Sequence, residues 1–404
     1  MKAERSLADQ HRQAVLDVLH DGGRLTRNQI SQRVGVTRST VSEVLSGLRD
    51  EGAVVIADSV RMPGRGRPAE VLSLDPSAAR YMGIDFAHNR VLVLVTNASG
   101  HVIATDCRAY LPDQGWGARC AIAITLAEDF ARSDLLHYRF LQGIAIGLPG
   151  PNSALWDSSV VAAPLEPYQQ VGARVCELFG KRFGVGVWVD HHIRFAALGE
   201  ATHPNASAEG NLLYLRLSLG VGGAIVTGGL PVRGEHQLGG EAGHVIVDRS
   251  DRARDCRCGR RGCLETLASV GGVLQSCREL GLGVYTIDAA AEAVRDNHTA
   301  ALEVVNDVAR VVGQVLGTAA VILDPAEIVL TGEVARLSVD FTARVAKALA
   351  GEVLPSVTIP VRLAHLGDEA GALGAVASLT TAFHPAQRTK EFAMSSLSPE
   401  LHGR

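Results

Sequence analysis

A chain of 404 residues, 47% of them apolar, has enough core-forming material for two or three domains, and its 43 glycines suit tight turns and close backbone approaches. A net charge of −4 excludes a global positive field, and an aromatic share of 4% excludes base stacking on an aromatic platform, so any nucleic-acid contact must be local and polar. Three of the seven cysteines crowd into residues 256–263, which argues for a metal site in a reducing compartment rather than a disulfide framework.

Residues 1–13 carry no secretory apolar segment, and no apolar run of membrane-spanning length stands out, so a cytoplasmic chain with no membrane partner is expected. Val15, Val18 and Leu19 follow helical spacing. Thr26 and Gln29 form the pattern of a capping box, which predicts a short helix over 27–34 that stops at Gly35. Thr37 is the next N-cap, with Val36 and Val41 spaced as a hydrophobic staple. The helix that follows places Val41, Val44, Leu45 and Leu48 on one face and Arg38, Ser39, Thr40, Ser42 and Glu43 on the other. Two short helices around a glycine turn make a helix-turn-helix, whose second helix would enter the major groove. Arg27, Arg38, Ser39, Thr40 and Ser42 are the candidate DNA contacts there; the alternative is a small helical domain with a solvated face.

Two strand-like runs, 54–56 and 71–74, flank Met62-Pro63-Gly64-Arg65-Gly66-Arg67-Pro68 and read as a β wing with a basic tip. Arg65, Gly66 and Arg67 suit the narrow, negative minor groove of A·T-rich DNA, although a flexible linker has the same composition. This first domain spans 1–76. Strands are then predicted at 82–86, 90–96, 141–147 and 185–190, with helices over 120–132 and 170–183 between them. A second set follows, with strands near 212–218, 223–227 and 327–331 and helices near 265–280, 301–323 and 336–350. Strands alternating with helices imply two α/β lobes with a cleft between them.

Several motifs then carry a family resemblance. Gly147-Leu-Pro-Gly-Pro151, Gly220-Val-Gly-Gly223, Gly239-Gly-Glu-Ala-Gly-His244, Cys256-Arg-Cys-Gly-Arg-Arg-Gly-Cys-Leu-Glu265, the segment 324–332 and Glu369-Ala-Gly-Ala-Leu-Gly-Ala375 resemble the ROK family (repressor, open reading frame, kinase). Within that family the chain resembles repressors of the xylose and N-acetylglucosamine type. The resemblance implies an α/β fold in which an N-terminal winged helix-turn-helix precedes a two-lobed, actin-like (hexokinase-related) ROK domain. The smaller lobe would comprise 77–205 plus 369–384, with 369–383 a helix packing back on it. The larger lobe would comprise 206–368 with the cysteine loop, and 385–404 would be a mobile polar tail.

Three thiolates and an imidazole, Cys256, Cys258, Cys263 and His244, form a closed set suited to structural Zn²⁺, and the family signature strengthens that reading against free thiols in a reduced loop. The resemblance also places His191, His192, Glu241, His244 and Glu265 where the family contacts sugar. It implies that kinase chemistry is lost. Asp85-Phe-Ala-His-Asn89 stands where family kinases carry Asp-x-Gly-Gly-Thr, so the glycines that admit phosphate are absent. His192 stands where their catalytic aspartate would be, and 217–222 depart from their Gly-Thr-Gly. The expectation is a non-enzymatic transcriptional regulator, most naturally a repressor. It would bind an inverted-repeat operator in double-stranded DNA as a homodimer or homotetramer and respond to a sugar or sugar derivative. A ligand-independent regulator that uses the second part only to oligomerise, and a residual sugar kinase, are the alternatives.

Overall fold

The structure is a computed structural model that describes residues 11–382 apart from 13, 17, 20–22, 51–53, 61–68, 76–78, 98–99, 112–113, 134–135, 137, 150–167 and 208–209. Contacts divide the chain into two compact units, one comprising Met1–Tyr81 with Val95–Ala104 and Ala127–Gly143, the other Met82–Leu94 with Thr105–Leu126 and Ile144–Arg404.

The first unit is built on β1 (Leu25–Thr26), α1 (Arg27–Val34), α2 (Arg38–Asp50), β2 (Val54–Val60) and β3 (Ala69–Leu74). The capping box forms: Gln29 N–H donates to Thr26 Oγ1 at 3.4 Å, and Thr26 N–H donates to Gln29 Oε1 at 2.9 Å. Gly35 ends α1 at φ 77°, a left-handed conformation in which glycine carries no Cβ penalty. Thr37 Oγ1 accepts from Thr40 N–H at 3.3 Å and starts α2. The strands form an antiparallel sheet in the order β1-β3-β2, with a register shift between Ile56 and Asp58. Ile30, Val41, Leu45, Leu48 and Leu72 are fully buried in its core. Phe140, far along the chain, is part of the same core, which the periodicity of the first seventy-odd residues cannot reveal.

The chain continues through β4 (Arg80–Phe86), β5 (Arg90–Asn97), β6 (Val102–Ala109), α3 (Trp116–Arg132), β7 (Leu141–Leu148), α4 (Tyr168–Phe183), β8 (Val187–His191) and α5 (His192–Ala201). These strands form a five-stranded sheet in the order β6-β5-β4-β7-β8. Then come β9 (Leu212–Leu217), β10 (Val221–Thr227), β11 (Leu230–Pro231), α6 (Glu265–Ala268), α7 (Val270–Glu279), α8 (Ile287–Arg295), α9 (Thr299–Leu323), β12 (Glu327–Thr331), α10 (Phe341–Ala350), β13 (Val361–Leu363) and α11 (Ala370–Ala382). The second sheet is mixed, in the order β11-β10-β9-β12-β13. The closing helix packs on α5, where Gly374 admits the Phe195 carbonyl and Gly199 faces the α11 backbone.

Three expectations need correction. The helix expected over 265–280 is two, because Ser269 turns extended and caps α7 by accepting from Gly272 N–H at 3.1 Å. The helix expected from 336 starts at Phe341, after a 3-10 turn over Val334–Arg336. One helix, Thr299–Leu323, is long and apolar enough to cross a membrane, although no such run stood out in the sequence. Its buried residues, Val304, Val308, Val312 and Leu316 among them, belong to the core beneath the second sheet.

Candidate functional site

On the helix-turn-helix, Arg38, Ser39 and Ser42 are exposed on one side of α2 and Thr40 is half-buried. The Thr37 hydroxyl lies 2.8 Å from Ser39 Oγ and 2.9 Å from Thr40 Oγ1, so the first turn presents a linked set of hydroxyls beside the Arg38 guanidinium. Arg27 differs. Its guanidinium is ion-paired with Glu70 of β3 at 3.0 Å, which ties the first helix to the wing strand. The wing tip with Arg65, Gly66 and Arg67 lies outside the described residues, as does the tail 385–404.

In the second sheet's lobe, His244, Cys256, Cys258 and Cys263 converge, with their ligand atoms all within 4.8 Å of one another. Cys256 Sγ lies 3.6 Å from His244 Nδ1, and Cys258 Sγ lies 3.6 Å from Cys263 Sγ, far beyond disulfide length. The loop that gathers them is tightly hydrogen-bonded. Cys256 N–H donates to the Arg260 carbonyl at 2.8 Å, and Gly262, at φ 72°, leaves no room for a Cβ against the Asp248 carbonyl. Arg260 donates to the His244 carbonyl at 2.9 Å. Burial alone would raise the Cys258 thiol, but hydrogen bonds from the Arg260 backbone and guanidinium and from the two other cysteines bring it down to about 7. Burial also lowers His244, keeping the imidazole neutral as a ligand requires. Arg254, which sequence reasoning passed over, anchors the loop to α7 through the Thr266 and Gly272 carbonyls, Ser276 Oγ and Glu279.

Beside this loop lies a cavity of about 330 Å³ whose walls include His88, His191, His192, Arg216, Glu241 and His244. Asp85 ends β4 in a space left by two glycines. A Cβ on Gly147 would meet His192 and Asp85 at 3.0 and 3.2 Å, and one on Gly371 would meet the Asp85 carboxyl at 2.5 Å. His192 Nδ1 lies 3.5 Å from Asp85 Oδ1. The His192 ring packs edge-on against both His88 and His191, at 6.4 and 5.3 Å between centroids. Burial, then the positive charges of His192, Arg216, Arg257 and Arg119, takes His88 down to about 3. Burial and neighbouring cations likewise hold His191 well below its ordinary value. Burial raises the Glu241 carboxyl, with Glu265 acting in the same sense and Arg194 and Arg257 opposing.

The structure brings His191, His192, Glu241 and His244 to this cavity, whose lining does not include Glu265. The Glu265 carboxylate accepts from Val221 N–H at 3.0 Å and pairs with Arg257, so it is already engaged. Sequence reasoning missed Arg216, Arg257, Arg90 and its partner Asp368, which the cavity walls also include. Alternation along β9, where Tyr214, Arg216 and Ser218 share one face, was the available signal for Arg216. At the neighbouring rim, Asp190 accepts from Arg194 at 2.6 Å and from Arg233 at 2.7 Å, and Arg194 also reaches the Gln237 carbonyl at 2.5 Å.

A family profile described as "ROK family" matches residues 81–382, and one described as "Winged helix-turn-helix DNA-binding" matches residues 9–55. Among curated relatives, the xylose repressor of Caldicellulosiruptor bescii is 27% identical over 266 residues, covering 66% of this chain and 65% of the repressor. The chain therefore spans less than two thirds of that relative's length. The DNA-binding transcriptional dual regulator NagC of Escherichia coli (strain K12) is 24% identical over 376 residues, 90% of each chain. Among solved structures, the ROK hexokinase from Thermus thermophilus superposes with a TM-score of 0.62 at 25% identity, covering 74% of this chain and 98% of the hexokinase.

Proposed function

This chain belongs to the ROK family, and on that premise we propose that it is a sequence-specific, DNA-binding repressor whose cleft senses a sugar-derived effector instead of phosphorylating it. One observation carries the reading. A capped helix-turn-helix with exposed Arg38, Ser39 and Ser42 shares a chain with a cleft in which Ala87, His88 and Asn89 fill the place of a phosphate cradle and His192 stands for the catalytic carboxylate. A family that includes both repressors and sugar kinases leaves the activity to these residues.

In this reading the recognition helix reads base edges through Arg38 and its hydroxyls, and Arg65 and Arg67 enter an A·T-rich minor groove. A homodimer or a dimer of dimers meets an inverted repeat, because one helix reads too few bases for specificity. That role belongs in the cytoplasm. In the cleft, Glu241 accepts sugar hydroxyls while His191 and His192, buried edge to face, set the hydrogen-bond pattern.

His244, Cys256, Cys258 and Cys263 would hold a zinc ion. The 3.6 Å between Cys258 Sγ and Cys263 Sγ is close to the edge of a tetrahedron of thiolates around zinc, about 3.8 Å from bond lengths of about 2.3 Å, and all four ligand atoms lie within 4.8 Å of one another. Bound there, the ion supplies cross-linking of the loop and no reaction step. His244 then orients the cleft wall on which Glu241 sits, three residues away.

The test is operator selection from random duplex DNA, followed by titration with and without sugars, together with a phosphoryl-transfer assay using ATP. An enriched inverted repeat that a sugar releases, with no sugar phosphate formed from ATP, is the expected result. Turnover of ATP with any sugar at kinase-like rates overturns the loss of catalysis. Absence of any selected sequence overturns the repressor.

A further inference from the structure

The cleft holds a half-buried cation that makes no hydrogen bond or ion pair among the described residues. Arg216 lies on β9, with Gly222 of β10 opposite it on one side and Thr331 of β12 on the other. Two paired neighbours fix its backbone, so its side chain cannot leave the cleft face. The guanidinium borders both the 330 Å³ cavity and an adjoining one of about 260 Å³, on which Arg336 is exposed. The nearby arginines are engaged: Arg90 with Asp368 at 2.7 Å, Arg257 with Glu265, and Arg194 with Asp190 at 2.6 Å.

Holding a half-buried cation on a central strand without a counter-charge costs free energy that the fold does not require, since an apolar residue would pack there without penalty. The surroundings add to the demand for an anion. Burial first, and then neighbouring positive charges that include Arg216 and Arg257, keep His88 uncharged, so Arg216 and Arg257 make the inner wall beside it a positive region. Asp85, Glu333 and Asp368 share the adjoining cavity with Arg216, yet none pairs with it: Asp368 is engaged by Arg90, Glu333 is exposed, and Asp85 faces His192 and Gly371, while Glu241 stands beside the cysteine loop. One side therefore offers a carboxylate for hydroxyl groups and another offers an unanswered guanidinium. A volume of about 330 Å³ sits at the small end of ligand cavities, the scale of a monosaccharide derivative.

We infer that the effector is an anionic monosaccharide, bearing a phosphate or carboxylate that Arg216 binds while Glu241 receives its hydroxyls. This inference rests on the effector-sensing reading above and names the ligand class for that same cleft. A planar guanidinium on a rigid strand suits either anion, since both offer paired oxygens.

Calorimetric titration of the full-length protein tests it, using glucose, xylose and N-acetylglucosamine beside glucose 6-phosphate, N-acetylglucosamine 6-phosphate, glucuronate and ATP. The expected result is that an anionic sugar binds at least about tenfold more tightly than its neutral parent, and that Arg216→Gln abolishes this preference while Arg216→Lys keeps part of it. Binding of the phosphates alone, or of glucuronate alone, supports the inference and identifies the anion. The parent protein's own preference decides the matter even if Arg216→Gln folds poorly. A neutral sugar that binds as tightly as its anionic counterpart and releases the operator overturns the inference and leaves the repressor reading standing. Operator binding that no sugar of either class alters overturns the effector reading itself, and tight binding of ATP without any sugar does the same.

Discussion

The cysteine loop and the cleft beside it relate to the family pattern in opposite ways. From His244 to Glu265 the loop keeps every defined position of the cysteine signature, and its glycines and hydrogen bonds close tightly around four ligand atoms. The cleft departs at 85–89, at 190–194 and at 217–222, the three segments that handle phosphate or the sugar hydroxyl in family kinases. A loop that folds the lobe tolerates no change without losing its geometry. Under the proposed loss of catalysis, a wall released from a reaction is free to change, provided the new side chains still pack. His88, half-buried, and His191, buried, show that they do, both held neutral where charge would be costly.

The largest effect expected from this contrast is loss of the metal. Structural zinc contributes about 10–16 kcal/mol in isolated peptides, an upper bound here because Arg254 also ties the loop to α7. Cys263→Ser should abolish zinc content by elemental analysis and lower the melting temperature more than any cleft substitution. A metal-free parent that melts where the loaded protein does would show that the loop needs no ion.

Next in size is Phe140→Ala. Removing a large buried aromatic costs about 3–5 kcal/mol, and Phe140 completes the core of the first unit. Operator binding should fail on modest warming while zinc content stays at the parent's level. Equal loss of both would mean that the two regions are not separable in stability.

The cleft's own signature is pH. An unfolded histidine takes a proton near pH 6.5, whereas His88 stays neutral in the folded state until about 3. Between those values the unfolded chain binds more protons, so stability is complete above about pH 6.5 and is lost progressively as pH falls toward 3. His191 acts in the same direction. The metal site adds its own acid sensitivity, so the informative quantity is the difference between parent and His88→Asn: denaturant titrations should show the variant's stability falling less steeply below pH 6.5. Parallel curves would remove His88 from the account.

Local rules made the first unit legible. The helix of 27–34, its two caps and the glycine stop were all readable because each depends on residues three or four positions apart. The convergence of His244 with Cys256, Cys258 and Cys263 was readable because chemistry and spacing coincide in the three cysteines. What escaped depended on distance. Phe140 joins a core whose other buried members run from Val15 to Leu72, far back along the chain, and Arg216 is one arginine among many until two neighbouring strands fix it in the cleft wall. The pairing of Glu265 with Arg257 and with the Val221 N–H was likewise beyond the motif, since it depends on how the loop folds against β10.

The smallest effect separates folding from recognition within the helix-turn-helix. Thr26 caps α1 and touches no residue of the recognition face, so Thr26→Ala should cost about 1 kcal/mol of stability through the lost cap. Arg38, exposed at the start of α2, contributes little to the fold and should behave in reverse: Arg38→Ala should keep the parent's unfolding midpoint and weaken operator binding. Denaturation and operator titration on the same two variants check this directly. Thr26→Ala should bind the operator as the parent does at temperatures where it is folded, because its helix supports the recognition helix without reading bases. A loss of affinity in Thr26→Ala as great as in Arg38→Ala, with the protein still folded, would mean that α1 itself contacts DNA. Arg27 would then be the side chain to examine, since it lies next to the cap and is ion-paired with Glu70 in the free protein.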